Sequence, residues 1–164
     1  VASALEYLVQ ETLQRMNEGA KLDDILQEVR LDPAILEKPY LRPTYDEPEF
    51  IIRNIWRLYG GWYDGNPARL KPSPDQALAS ELASLAGGTL ALAERASTLM
   101  TRDIRLACHL VELAVQSDPL NQAAHEIRAA LYQHRRNQET SLMAKGIYGA
   151  AANESNAVLS DDRA

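Results

Sequence analysis

Few residues in this chain have both the type and the spacing that chemistry needs. Its three histidines, His109, His125 and His134, form no HxH or HExxH pattern, so none pairs with another as a metal ligand would. His109 falls on the polar stripe of a helical repeat and reads as solvated. His125 and His134 lie on one predicted helix but face different ways. Cys108 is the lone cysteine, so no internal disulfide forms, and its apolar helical setting reads as a small buried hydrophobe. There is no GxSxG elbow for a nucleophilic serine. Gly60-Gly61 and Gly87-Gly88 lack the preceding strand and following Lys-Ser/Thr of a phosphate loop. The carboxylate pairs Asp23-Asp24 and Asp161-Asp162 sit in polar, exposed contexts.

What stands out is the stretch from Tyr40 to Pro72. It holds both tryptophans, the only phenylalanine and most of the tyrosines. Aromatic rings bury large areas, and Tyr and Trp add a polar tip, so they gather in cores, at interfaces and around ligands. Trp56, Tyr59, Trp62 and Tyr63 converge on Gly60-Gly61 and on Asp64-Gly65-Asn66-Pro67, residues that tolerate tight backbone angles. Trp56, Tyr59 and Trp62 read as packing residues, and Asp64, Gly65 and Pro67 as turn formers. Tyr63, Asn66 and Arg69 are the candidates for contact with a ligand or a neighbouring domain. The first two hydrogen-bond, and arginine grips oxyanions in a forked geometry.

The elements that carry this turn are helical. Leu5, Leu8, Val9, Leu13 and Met16 share one face of a first helix, with Ser3 and Glu6 spaced as a capping box and Gly19 beyond its end. A short helix follows through Ile25, Leu26 and Val29, and Asp32-Pro33 starts another turn. The next helix is expected from Asp46, capped by Glu49, with Ile51, Ile52, Ile55, Leu58 and Tyr59 as its apolar face. Ser73 as cap opens a helix that ends at Gly87-Gly88, followed by one over 89–100 and a cap at Thr101. Residues 104–117 are apolar nearly all round, which predicts a helix packed between others. Two further helices are expected over 120–137 and 140–152. No strand signal appears. The fold class is therefore all-α, a bundle of about eight helices in antiparallel hairpins.

In the second half, Ala107, Ala114 and Pro119 carry the small-residue and proline spacing of a tetratricopeptide-like segment, with Ala129 and Tyr132 placed as in a following repeat. Residues 1–153 read as one domain and 154–164 as a small, polar, disordered tail.

Composition narrows the function classes. The chain has 164 residues, 46% apolar and 24% charged, with net charge −6. That length suits one domain. The acidic balance argues against a sequence-independent nucleic-acid role, which needs a basic face. Arg135-Arg136 is the one basic pair of note, and at a helix end it reads as a solvated terminus. No run is long and apolar enough to span a membrane. The chain opens at Val1, partway into a helix, and reads as an excised piece of a longer protein; a leader would lie upstream, so the compartment is open.

The segment GGWYDGNPARLKP, set between a helix and a Pro-started helix ending in LAGG, resembles the helical middle domain of the alkyl sulfatases with a metallo-β-lactamase fold. The lead-in Asn17-Glu18-Gly19 with Leu22-Asp23-Asp24-Ile25 is similar too, as are Arg102, Ala107, Ala114 and Asp118-Pro119. The resemblance implies a non-catalytic module that pairs two subunits and supports a zinc-dependent catalytic domain. The partners implied are a second copy and the catalytic domain of the same polypeptide. Zinc is expected in that domain, and this chain lacks its HxHxDH-type ligand run. The resemblance also implies that Tyr63, Asn66 and Arg69 lie near the sulfate pocket. The rival expectation is a free-standing tetratricopeptide-like adaptor that binds a peptide.

Overall fold

A computed structural model describes residues 1–161. Residues 162–164, the end of the expected tail and Asp162 of the terminal carboxylate pair, lie outside the described residues. Among those described there are nine α-helices, one 3-10 turn and no strand. The helices are α1 (Ala2–Asn17), α2 (Leu22–Glu28), α3 (Pro33–Leu36), α4 (Pro48–Gly60), α5 (Asp75–Ala86), α6 (Thr89–Leu99), α7 (Ile104–Ser117), α8 (Gln122–Gln138) and α9 (Leu142–Asp161). The all-α expectation holds. The single expected domain resolves into two compact units, one of Val1–Pro72 with Thr140–Leu142, the other of Ser73–Glu139 with the chain from Met143 on.

In the first unit, α1 and α2 pack on α4. Leu8, Ile25, Leu26, Val29, Ile52 and Ile55 make the core, with Trp56 partly buried against it. Helix α4 turns Ile52 and Ile55 inward, but Leu58 and Tyr59 point to solvent. The expected apolar face was therefore drawn too long: Leu58 and Tyr59, three and four positions beyond Ile55, keep the helical spacing of that face but lie in the last turn of α4, outside the core cluster. The segment 140–142 is tied to the loop before α4, where Leu142 N donates to Thr44 O at 2.8 Å and Ser141 Oγ to Tyr45 O at 2.6 Å.

In the second unit, α7 lies against α5, α6 and α8, as its nearly all-round apolar pattern predicts. Ala83, Ala93, Ala96, Ala107, Ala114 and Ala124 are buried where these helices meet. Small side chains let helix axes approach closely, which is the physical content of the small-residue spacing read in the sequence. Larger groups, Val111, Leu131 and Tyr132, fill the remaining space. Leu131 is fully buried, so truncating it to alanine would cost about 2–5 kcal/mol.

Several caps differ from the sequence reading. Helix α1 begins at Ala2 after Val1, with no Ser3–Glu6 box. Helix α4 begins at Pro48, and Asp46 instead accepts from the Glu47 N–H at 2.9 Å. Helix α5 starts after Pro74 rather than Ser73. Asp103, not Thr101, caps α7 by accepting from Leu106 N at 3.0 Å. For α4, α5 and α7 a proline or a second capping-type residue lay within two positions of the one chosen, and tertiary geometry selected between them. Asp32 before α3 does cap as expected, accepting from Ala34 N at 2.9 Å. Gly87 ends α5 at φ +94°, a left-handed turn that glycine adopts without steric cost. The largest difference is at the C-terminus. Where a disordered tail was expected from 154, α9 continues to Asp161, and Ser155 is fully buried.

Candidate functional site at the aromatic turn

Gly61, at φ +82°, ends α4 and lets the chain reverse. The turn that follows is held by its own polar groups. Trp56 Nε1 donates to the carbonyl of Tyr63 at 3.0 Å, pinning the turn to the helix that precedes it. The Asp64 carboxylate accepts from Asn66 N at 2.9 Å through Oδ1 and from Arg69 Nη1 at 2.6 Å through Oδ2. Its backbone carbonyl accepts from Leu22 N at 3.3 Å, which anchors the turn to the start of α2. Asn66 Oδ1 accepts from Ala68 N at 3.1 Å and so caps the 3-10 turn Pro67–Arg69. Gly65 sits at φ +90° against Lys21, where a Cβ would come within 2.8 Å of Lys21 Cγ. Only glycine meets both conditions.

Asp64 is the electrostatic centre. The hydrogen bond from Arg69, then that from the Asn66 backbone, stabilises the carboxylate and holds its pKa below the usual aspartate value. Arg69 is thereby oriented, while 69% of its side chain stays exposed.

The three candidates therefore differ. The Asn66 side chain is committed to the turn itself. Arg69 keeps a fixed guanidinium at the surface. Tyr63 gives its carbonyl to Trp56, and its ring meets Trp62 edge-on at 6.2 Å between centroids. Trp56 is half-buried, as a packing residue would be, but Tyr59 and Trp62, also assigned to packing, are exposed at 61% and 73%. The turn thus presents an aromatic surface rather than an aromatic core.

A second polar centre, missed in the sequence, lies in the other unit. Arg128 is 8% exposed. Its Nε donates to Glu112 Oε1 at 2.8 Å, Nη1 to Ala151 O at 2.8 Å and to Ser155 Oγ at 3.1 Å, and Nη2 to Glu154 Oε2 at 3.2 Å. The guanidinium also stacks over Tyr132 at 5.3 Å. His125 joins through Ser155 Oγ (3.1 Å from Nδ1) and Pro119 O (2.9 Å from Nε2). A carbonyl only accepts, so Nε2 carries the hydrogen and Nδ1 accepts from the Ser155 hydroxyl. Every group is paired within the network, which makes it a structural clamp on α7, α8 and α9. Tyr132 stacks on Tyr148 at 5.7 Å, and burial raises the pKa of both phenols. Arg135, expected to be solvated, lies over Tyr148 at 5.2 Å and pairs with Glu139 at 3.0 Å. Cys108 is half-buried, and burial raises its thiol pKa.

Among the described residues, no three of His, Cys, Asp and Glu are grouped so as to hold a metal ion. Among the described residues, no helix is long and apolar enough to cross a membrane.

Comparison with known proteins identifies the setting. The family model described as alkyl sulfatase dimerisation matches residues 21–157. A linear primary-alkylsulfatase of Pseudomonas sp. is 30% identical over 132 residues, 79% of this chain and 25% of that protein. The alkyl/aryl-sulfatase BDS1 of Saccharomyces cerevisiae is 29% identical over 125 residues, 76% of this chain and 19% of its own. Among solved structures, a double mutant of the sec-alkyl sulfatase PisA1 superposes with TM-score 0.82 at 30% identity, covering 92% of this chain and 24% of that one. The stereoselective inverting sec-alkylsulfatase Pisa1 from Pseudomonas sp. gives 0.81 at 27%, with the same coverage. The chain thus spans about a quarter of the length of these relatives. With the family model matching through the aromatic turn and the clamp alike, this chain belongs to the alkyl sulfatase dimerisation family.

Proposed function

We propose that this chain is the non-catalytic module through which two copies of a sulfuric ester hydrolase pair. The observation that carries this reading is the family match over residues 21–157. The surface supports it: Leu58, Trp62, Leu85 and Leu120 are each at least 73% exposed in the single chain. Burying such side chains against a second copy removes apolar area from water, and obligate interfaces of this kind are large and apolar. A free-standing peptide-binding adaptor is not favoured, because the relatives carry this region as one part of a longer alkylsulfatase.

The parent polypeptide, on this reading, hydrolyses alkyl sulfate esters in a zinc-dependent domain of metallo-β-lactamase fold. Among the described residues no grouping fits a zinc site, and on this reading the hydrolysis itself belongs to the adjoining domain. Their contribution is positional. Arg69, held by Asp64, and Tyr63 offer a cation and a phenol to an anionic group in the adjoining domain. Asn66 keeps that turn in shape.

Light scattering on a sizing column across a dilution series tests the pairing. A mass of twice 18.2 kDa that persists on dilution is expected, and a stable monomer at every concentration would sink it. In the full-length parent, Arg69→Ala and Tyr63→Phe are expected to lower kcat/KM, and unchanged kinetics in both would remove the positional role.

A further inference from the structure

Helix α5 turns its side chains the opposite way from an ordinary amphipathic helix. The residues it buries are the small Ala79 and Ala83, where it lies on α6 and α7. Its three leucines stay outside that contact. Leu78 and Leu85 are 51% and 77% exposed, and Leu82 is half-buried. Spaced four and three residues apart, they form one stripe roughly a third of a turn round from the two alanines. Helix α5 is also the first helix of its unit. In stacks of paired helices the outer face of the end helix is ordinarily polar, because it meets water. A leucine stripe in that place marks a face that another element covers.

The stripe complements itself. Turned end for end about a two-fold axis beside Leu82, Leu78 of one copy lies against Leu85 of the other, and the two Leu82 side chains meet near the axis. Glu81 borders the stripe and is exposed, so its two copies come together on one side of the same axis.

We propose that α5 is the centre of the seam between two copies of this chain, its helices pairing antiparallel through Leu78, Leu82 and Leu85. The proposal rests on the pairing reading above, since the dimerisation family model spans α5 within residues 21–157. Three leucines a side are less than the roughly 800 Å² per partner of a stable interface. They form its central apolar cluster, where binding energy concentrates, and a wider rim completes it.

The test measures the dimer dissociation constant of the 164-residue chain by light scattering on dilution, then maps the seam by disulfide trapping. Leu78→Glu with Leu85→Glu is expected to weaken the dimer at least about 100-fold, with the helical circular dichroism retained. Glu81→Gln is expected to tighten it about twofold, by removing a like-charge pair. For trapping, Cys108, the lone cysteine, is first replaced by serine. A disulfide needs Cα atoms within about 7 Å, and a rise of about 1.5 Å per residue sets the two Leu78 positions about 10 Å apart along the seam. Leu82→Cys should therefore link to itself on mild oxidation. Leu78→Cys should link to Leu85→Cys in a mixture, and neither of these should link alone. A dimer that survives the double glutamate variant unchanged overturns the seam and leaves pairing standing, with the stripe then covered by another part of the parent. Self-linking of Leu78→Cys as fast as Leu82→Cys overturns the antiparallel register. If the glutamate variant unfolds, the cysteine pattern alone decides. A parent chain that is monomeric at every concentration removes pairing and seam together.

Discussion

Arg128 on α8 reaches Glu112 on α7 through a 2.8 Å bond from Nε to Oε1, and the same guanidinium closes on α9 through Ala151 O and Ser155 Oγ. One buried cation thus holds three helices. Removing it would leave a carboxylate, a carbonyl and a hydroxyl without their donor. Arg128→Met, which keeps the packing stem, is expected to destabilise the second unit by about 2–4 kcal/mol. Urea unfolding at fixed protein concentration checks this, since pairing makes apparent stability depend on concentration.

Glu154 accepts from the same guanidinium, but its side chain is 69% exposed. Solvent screening makes such a pair weak. Glu154→Gln is therefore expected to cost less than about 0.5 kcal/mol. In the same urea assay, a loss equal to that of Arg128→Met would refute the split between the buried and exposed arms of the clamp.

Asp64 gives the aromatic turn a defined pH dependence. Arg69 and the Asn66 N–H lower its folded pKa beneath the unfolded value. Its stabilising contribution is then fully present above about pH 4, near the unfolded pKa, and is lost as pH falls through the lower folded value. The indole N–H resonance of Trp56, bonded to the carbonyl next to Asp64, should shift in that acidic window. In Asp64→Asn the step should vanish, and the gap in Tm between the two proteins should narrow as pH drops below about 4.

Gly65 faces two constraints at once, φ +90° and the side chain of Lys21. Gly61 has φ +82° with nothing within 4 Å of its would-be Cβ. Gly61→Ala should cost about 1–3 kcal/mol for the backbone alone, because φ +82° with ψ −150° is a region that glycine alone adopts readily. Gly65→Ala should add to its own backbone cost a clash with Lys21 of about 1–3 kcal/mol. Adding Lys21→Ala should restore only part of the clash cost, because it removes Lys21 Cγ and Cδ but keeps Cβ, 3.1 Å from the added methyl, and leaves φ unchanged. Thermal melts of the two single variants and the double variant separate the terms.

Much of this protein was legible in its residues. Helix count and order follow from apolar periodicity punctuated by Gly19, Asp32-Pro33, Gly60-Gly61, Gly87-Gly88 and Asp118-Pro119, because these are local effects that act within a turn or two of chain. The turn at Asp64-Gly65-Asn66-Pro67 was readable for the same reason, since its capping bonds span two residues. What the tertiary structure decided depends on distant partners. Arg128 meets Glu112, Glu154 and Ser155 at separations of 16, 26 and 27 residues, and no local pattern encodes such a meeting. The same long-range bonds account for α9. A run of Asn, Ser and Ala after residue 152 reads as frayed, yet Ser155 is fully buried and holds both His125 and Arg128. Likewise, periodicity marked Leu58 and Tyr59 as apolar, but only packing decided that Ile52 and Ile55 fill the core of their own unit and leave those two at the surface, because hydrophobicity says that a side chain leaves water and not which surface it meets.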